Sequence, residues 1–149
     1  MANYLKYCGF LGLMIAVLFG AAGRWDLPFV WATVAVYFTL MLVTVSRMEP
    51  DLLQERVRPG PGGKDRHMRI IMIPLMIGQW LVAGLDVGRY HWSDTVPKWL
   101  QLSALIGFAL ALALVGWALE VNRFFSPVVR IQQERGHHLI REGPYRFVR

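Results

Sequence analysis

At 149 residues, with 55% hydrophobic and only 17% charged residues, the chain is too apolar for an ordinary soluble domain. Sixteen Lys and Arg face ten Asp and Glu, but this surplus does not mark a nucleic-acid binder. The basic residues are kept out of long apolar runs and gathered between them, which suits a bilayer better than a duplex, and no nucleic-acid partner is expected.

Four mostly apolar runs, at about 7–23, 27–46, 69–88 and 99–119, are each long enough to cross a ~30 Å hydrocarbon core as a helix. The expected fold is therefore an all-α membrane protein. Residues 1–122 form a bundle of four transmembrane helices, and 123–149 form a short, hairpin-like segment. The first run, "YCGFLGLMIAVLFGAAG", lacks a strongly basic leader and an A-x-A site, so it reads as a retained span rather than a cleaved signal. It carries Cys8, the only cysteine, which excludes an internal disulfide and is expected to pack as a small apolar residue.

Lys and Arg near span ends are retained on the cytoplasmic side. With both termini inside, thirteen basic residues lie in inner segments and only Arg24, Arg89 and Lys98 lie outside. Trp25, Trp92 and Trp99 then fall at the outer ends of spans, where indoles favour the interface. The protein is expected to be multi-pass, in the inner membrane if bacterial, with the lipid bilayer as its first partner.

Between the second and third runs lies "RMEPDLLQERVRPGPGGKDRH". Pro50 and Asp51 suit a first helical turn, "DLLQERV" is amphipathic, and "PGPGG" stops it. The sequence "GPGGKD" lacks the first glycine and the Ser or Thr of a phosphate-binding loop, so that reading is rejected. The piece reads as an interfacial helix with a linker, or as a lip over a cytoplasmic site.

Inside the third run, "GLDVG" is a G-x-x-x-G, and Ser103, Gly107 and Ala111 make a small-residue ladder in the fourth. Both permit close helix approach and are expected to serve packing. Asp86 is expected to be solvated or paired with Arg89, and Glu120 to pair with Arg123, each being more plausible as a structural group than a catalytic one.

Beyond the fourth run the sequence mixes aromatic, basic and β-branched residues. The stretches "VVRIQQ" and "HHLIR" are expected to pair as a hairpin across "ERG", with Gly136 supplying the turn. "EGPY" makes a second turn at Gly143 and Pro144. Adjacent histidines in an extended strand face opposite ways, so His137 and His138 are not expected to bind a metal together.

The residues Asn122, Phe125, Ser126, Val129, Ile131 and Gln132, followed by "ERGHHLIREGPYRFVR", resemble the segment that enters the catalytic region of a family of integral-membrane methyltransferases. That family includes isoprenylcysteine carboxyl methyltransferase, its bacterial relatives and phospholipid methyltransferases. The resemblance implies methyl transfer from S-adenosylmethionine, at the cytoplasmic membrane face, to a lipid-like or prenylated acceptor. It also implies that His138, Gly143, Pro144, Tyr145, Arg146 and Arg149 contribute to cofactor binding, with the arginines holding anionic groups. In the family the G-P-Y-R line continues into His-Pro-x-Tyr and further helices. This sequence stops at Arg149, so the chain is expected to be an incomplete form, inactive by itself. A noncatalytic membrane protein that binds anionic lipid or a partner through its basic inner face is the alternative.

Overall fold

The computed structural model describes residues 2–60, 65 and 67–147. Five α-helices follow one another: α1 (Ala2–Ala22), α2 (Pro28–Arg47), α3 (Pro50–Val57), α4 (Met68–Leu85) and α5 (Lys98–Val121). A π-helical turn, Asp86–Tyr90, extends α4, and two 3-10 turns, Gln133–Arg135 and Gly143–Arg146, lie beyond α5. There is no strand among the described residues.

Three helical stretches are long and apolar enough to cross a membrane: Pro28–Arg47, Ile70–Tyr90 and Lys98–Val121. A fourth, Tyr7–Ala22, is apolar but shorter. The expected runs thus reappear as helices, shifted by a few residues at their ends. Their outward side chains are apolar: Ile70 is 75% exposed, Leu75 63% and Leu110 67%. Such surfaces are stable in hydrocarbon and not in water.

Local chemistry sets the helix ends. Gly23, just past α1, takes φ +69 and its N–H donates to the Phe19 carbonyl, the glycine-closed terminus that L side chains disfavour. Pro28 and Pro50 open α2 and α3, where a missing N–H costs nothing. Pro74 sits inside α4, an interruption that membrane helices tolerate.

The chain packs as two units. One comprises Met1–Val36 and His67–Gly107, the other Tyr37–Arg66 and Phe108–Arg149. In the first unit, α4 lies against α1. A Cβ at Gly84 would lie 2.4 Å from the Leu18 carbonyl oxygen, and one at Gly88 would lie 2.3 Å from Ala22 Cα. The G-x-x-x-G of the third run is therefore a packing device, as expected. The face of α1 that meets it carries Leu18, Ala21 and Ala22, all buried. Phe19, 2% exposed, stacks on Trp25 and leans on Trp31, whose indole N–H donates to the Trp25 carbonyl.

Two expectations about the spans fail on geometry, and of the two alternatives for Asp86 the Arg89 pair is the one not formed. Asp86 accepts hydrogen bonds from the Ser93 backbone N–H and hydroxyl, not from Arg89, whose guanidinium lies over Gly23. The π turn ends with the His91 N–H bonded to the Asp86 carbonyl and brings Ser93 round onto the carboxylate. The ladder of Ser103, Gly107 and Ala111 is exposed, and a Cβ at Gly107 would meet nothing within 4 Å. Cys8 is exposed on α1 rather than packed.

Candidate functional site

The second unit gathers α3, the C-terminal parts of α2 and α5, and the segment after α5. Arg47 on α2 pairs with Glu120 on α5 at 3.3 Å, and Arg123 pairs with Glu49 at 3.5 Å. The expected Glu120–Arg123 pair gives way because each residue finds a partner on another element. Gly116 is the small residue that this unit uses, since a Cβ there would lie 2.7 Å from Thr44 Oγ1.

At the centre of the unit, α3 turns Leu52, Leu53 and Glu55 inward. A carboxylate on the buried side of an amphipathic helix requires compensation, and it is supplied in full. Arg130 donates from Nε to Glu55 Oε1 and from Nη2 to Oε2, each at 2.8 Å. The Ser126 hydroxyl donates to Oε1 at 2.8 Å, and the Gly60 N–H to Oε2 at 3.3 Å. Glu134 takes a further bond from Arg130 Nη2 at 2.7 Å. Both members of the central pair are nearly sealed, with side chains 6% and 7% exposed. Gly60 is needed beside them, because a Cβ would lie 2.7 Å from Arg130 Nη2.

The Arg130 guanidinium, helped by Ser126 and Gly60, outweighs burial and lowers the Glu55 carboxyl from its ordinary 4.5 to about 2. Hydrogen bonding to Glu55 raises Arg130 in turn. A carboxylate held so far below neutrality is a poor proton carrier. Glu55 is a structural anchor rather than an acid or base.

The segment after α5 is built around this anchor, and the expected hairpin is absent. The β-branched residues of "VVRIQQ" promised a strand, but the local polar groups are satisfied differently. Asn122 Oδ1 accepts from the Phe124 N–H, and the fully buried Gln132 donates from Nε2 to the Phe124 carbonyl. The Gln132 N–H donates to His137 Nδ1, leaving neither backbone group of a ladder to spare at that point. The turn itself is where it was expected: Gly136 takes φ +67 and its N–H donates to the Gln133 carbonyl.

Phe124 is the hub for the basic and imidazole groups. His137 stacks on its ring with centroids 4.8 Å apart, and His138 approaches edge-on at 5.1 Å. The Arg135 guanidinium carbon lies 5.8 Å from the same ring, and Arg56 lies 5.2 Å from Phe125. Arg56 Nη1 and Arg135 Nη2 are buried without a hydrogen-bond partner among the described residues, so these rings are their immediate counterparts.

The expected site residues separate into two groups. Gly143, Pro144, Tyr145 and Arg146 share the 3-10 turn, with the Tyr145 N–H bonded to the Glu142 carbonyl. Gly143 takes φ +55, and a Cβ there would lie 2.7 Å from Val121 Cγ2 and 3.3 Å from Trp117 Nε1. Glycine is thus fixed twice, by backbone and by space, and the turn is seated on the last turns of α5. His138 is held elsewhere, its Nδ1 bonded to the Gly136 carbonyl. Arg149 lies outside the described residues.

Beside the Glu55–Arg130 pair is a pocket of about 310 Å³ that also presents Asp51, Gln54, Arg58 and Arg135. None of the expected cofactor residues among the described ones lines it. Its lining carries guanidinium, carboxylate and amide groups, which suit a small charged or zwitterionic ligand. Glu55 and Arg130 went unread in the sequence. The available signal was Glu55 itself, an acid placed three residues after Leu52 on the apolar face of α3. No family model matches this chain, and no curated protein or solved structure matches it.

Proposed function

We propose that the protein is a membrane methyltransferase that uses S-adenosylmethionine at the cytoplasmic face and transfers the methyl group to an amphiphilic acceptor entering from the bilayer. One observation carries the reading: the G-P-Y-R turn is clamped to the end of α5 through Gly143. Those four residues are also the core of the resemblance to the isoprenylcysteine carboxyl methyltransferases and phospholipid methyltransferases. The seating of this turn at the end of an apolar helix supports a site at the membrane boundary, which in this reading both a polar cofactor and a lipid-like acceptor can reach.

In this reading α1 spans the bilayer with the three longer helices, both termini are cytoplasmic, and thirteen of the sixteen basic residues lie inside. Transfer at the sulfonium methyl depends on aligning nucleophile, methyl and leaving sulfur, so positioning rather than proton transfer is the main demand on the protein. Arg146 supplies a cation for the cofactor carboxylate or an anionic acceptor. The polar pocket beside the Glu55–Arg130 pair also presents Asp51 and Arg58, charges of both signs that an amino-acid head group would match.

Because the chain by itself is expected to be inactive, the test is titration of labelled S-adenosylmethionine against the longest natural form of the protein, extracted from its native membrane into detergent. Saturable binding, weakened in Arg146→Ala, is expected. Absence of saturable binding overturns the proposal and leaves the noncatalytic, lipid-binding reading.

A further inference from the structure

The run from Val128 to Gln132 alternates in exposure with its polarity reversed. Val128 is 4% exposed, the Arg130 side chain 6% and Gln132 0%, whereas Val129 is 68% and Ile131 74% exposed. The exposures alternate residue by residue, so one side of the run is covered and the other is open. In water the outward side of such a segment should be polar. Here the inward side holds the ion-paired arginine and the buried amide, and the outward side is a β-branched apolar row. Leu139 and Phe147 of the same unit are also 73% and 83% exposed.

We infer that the Val129–Ile131 row is an interfacial seat, resting in the boundary between headgroups and acyl chains of the membrane into which α5 runs. Three observations select lipid as the occupant. The row lies only eight and ten residues past Val121, the end of a 24-residue apolar helix, so the chain that carries it leaves the end of a candidate span. The exposed basic residues Arg141 and Arg146 belong to the same unit, and they make no ion pair among the described residues, which fits anionic headgroups. The polar groups that could not enter the boundary are already satisfied on the opposite side, by Glu55 for Arg130 and by the Phe124 carbonyl for Gln132. A segment of this kind lies in the interface plane without crossing it. The inference requires the membrane and not the methyl transfer, so loss of cofactor binding leaves it standing.

The test places an environment-sensitive fluorophore on Ile131→Cys, in a Cys8→Ala background, and on the exposed Gln133→Cys as comparison. Val129→Cys repeats the measurement on the same row. Proteins that keep the parent thermal transition are reconstituted in phosphatidylcholine and phosphatidylglycerol vesicles. Nitroxide lipids labelled near the headgroup should quench positions 129 and 131 several-fold more than 133, with aqueous iodide giving the opposite order. Equal iodide quenching at all three positions overturns the seat. Protection of 129 and 131 from both quenchers also overturns it, because protein would then be the cover.

Discussion

Arg130 meets Glu55 through two parallel 2.8 Å hydrogen bonds although seventy-five residues separate them in sequence. The pair ties α3 to the segment that follows α5. Its value lies in its completeness: the second guanidinium contact to Glu134, the Ser126 hydroxyl and the Gly60 N–H leave neither partner underbonded. Breaking such a buried pair from one side leaves an uncompensated charge, which costs about 3–5 kcal/mol.

Glu55→Gln should therefore release α3 and residues 122–147 together. The measurement is amide hydrogen exchange in detergent: both segments should lose protection in parallel while α1 and α4 keep theirs. Selective loss in α3 alone would show that the pair does not couple the two.

Acid should act through the same carboxyl. Its folded value of about 2 lies below the ordinary 4.5, so its contribution is fully present above pH 4.5 and is lost as pH falls toward 2. That lowering corresponds to on the order of 3 kcal/mol. Protection of residues 122–147 should fall across that acidic window in the parent and stay flat in Glu55→Gln.

The exposed pair Arg47–Glu120 is the contrasting case, with side chains 65% and 31% exposed at 3.3 Å. Glu120→Gln should change thermal stability by less than about 1 kcal/mol. A loss as large as that of Glu55→Gln would contradict this distinction.

Gly143→Ala should disorder the G-P-Y-R turn. The left-handed backbone alone costs about 1–2 kcal/mol for a residue with a Cβ, and the new methyl meets Val121. Adding Val121→Ala should recover only the steric part. Exchange of the Tyr145 amide, bonded to the Glu142 carbonyl, reports both effects.

Gly88→Ala should lower the thermal transition sharply, because its methyl would fall within 2.3 Å of Ala22 backbone atoms, which cannot move aside as a side chain can. Gly107→Ala should be neutral or stabilise by up to about 1 kcal/mol, since its Cβ meets nothing and alanine favours helix. Differential scanning of the two variants in one detergent separates them.

The contrast between those glycines explains what the sequence made legible. Hydropathy over about twenty residues located the helices within a few positions, because length and apolarity are local properties. Gly136 and Gly143 were legible as turns, since left-handed backbone leaves few alternatives to glycine. Small residues announced close approach but not which ones would be used: Gly84, Gly88 and Gly116 are occupied by neighbours while Gly107 faces open space. The partner decides, and the partner is distant in sequence. The same holds for Glu55, whose arginine comes after two further long helices, and for the missing strands. Val128, Val129 and Ile131 satisfy strand preference, but Gln132 and His137 provide a competing set of bonds that no preference scale contains.

The close seat of α4 on α1 also has a consequence for synthesis. Translation delivers the face carrying Leu18 and Ala22 first and supplies Gly84 and Gly88 only after α2 and α3 have been made. Order of emergence and order of assembly therefore differ. A ribosome paused in the 48–67 connector holds a nascent chain with one half of this interface complete and the other not yet translated.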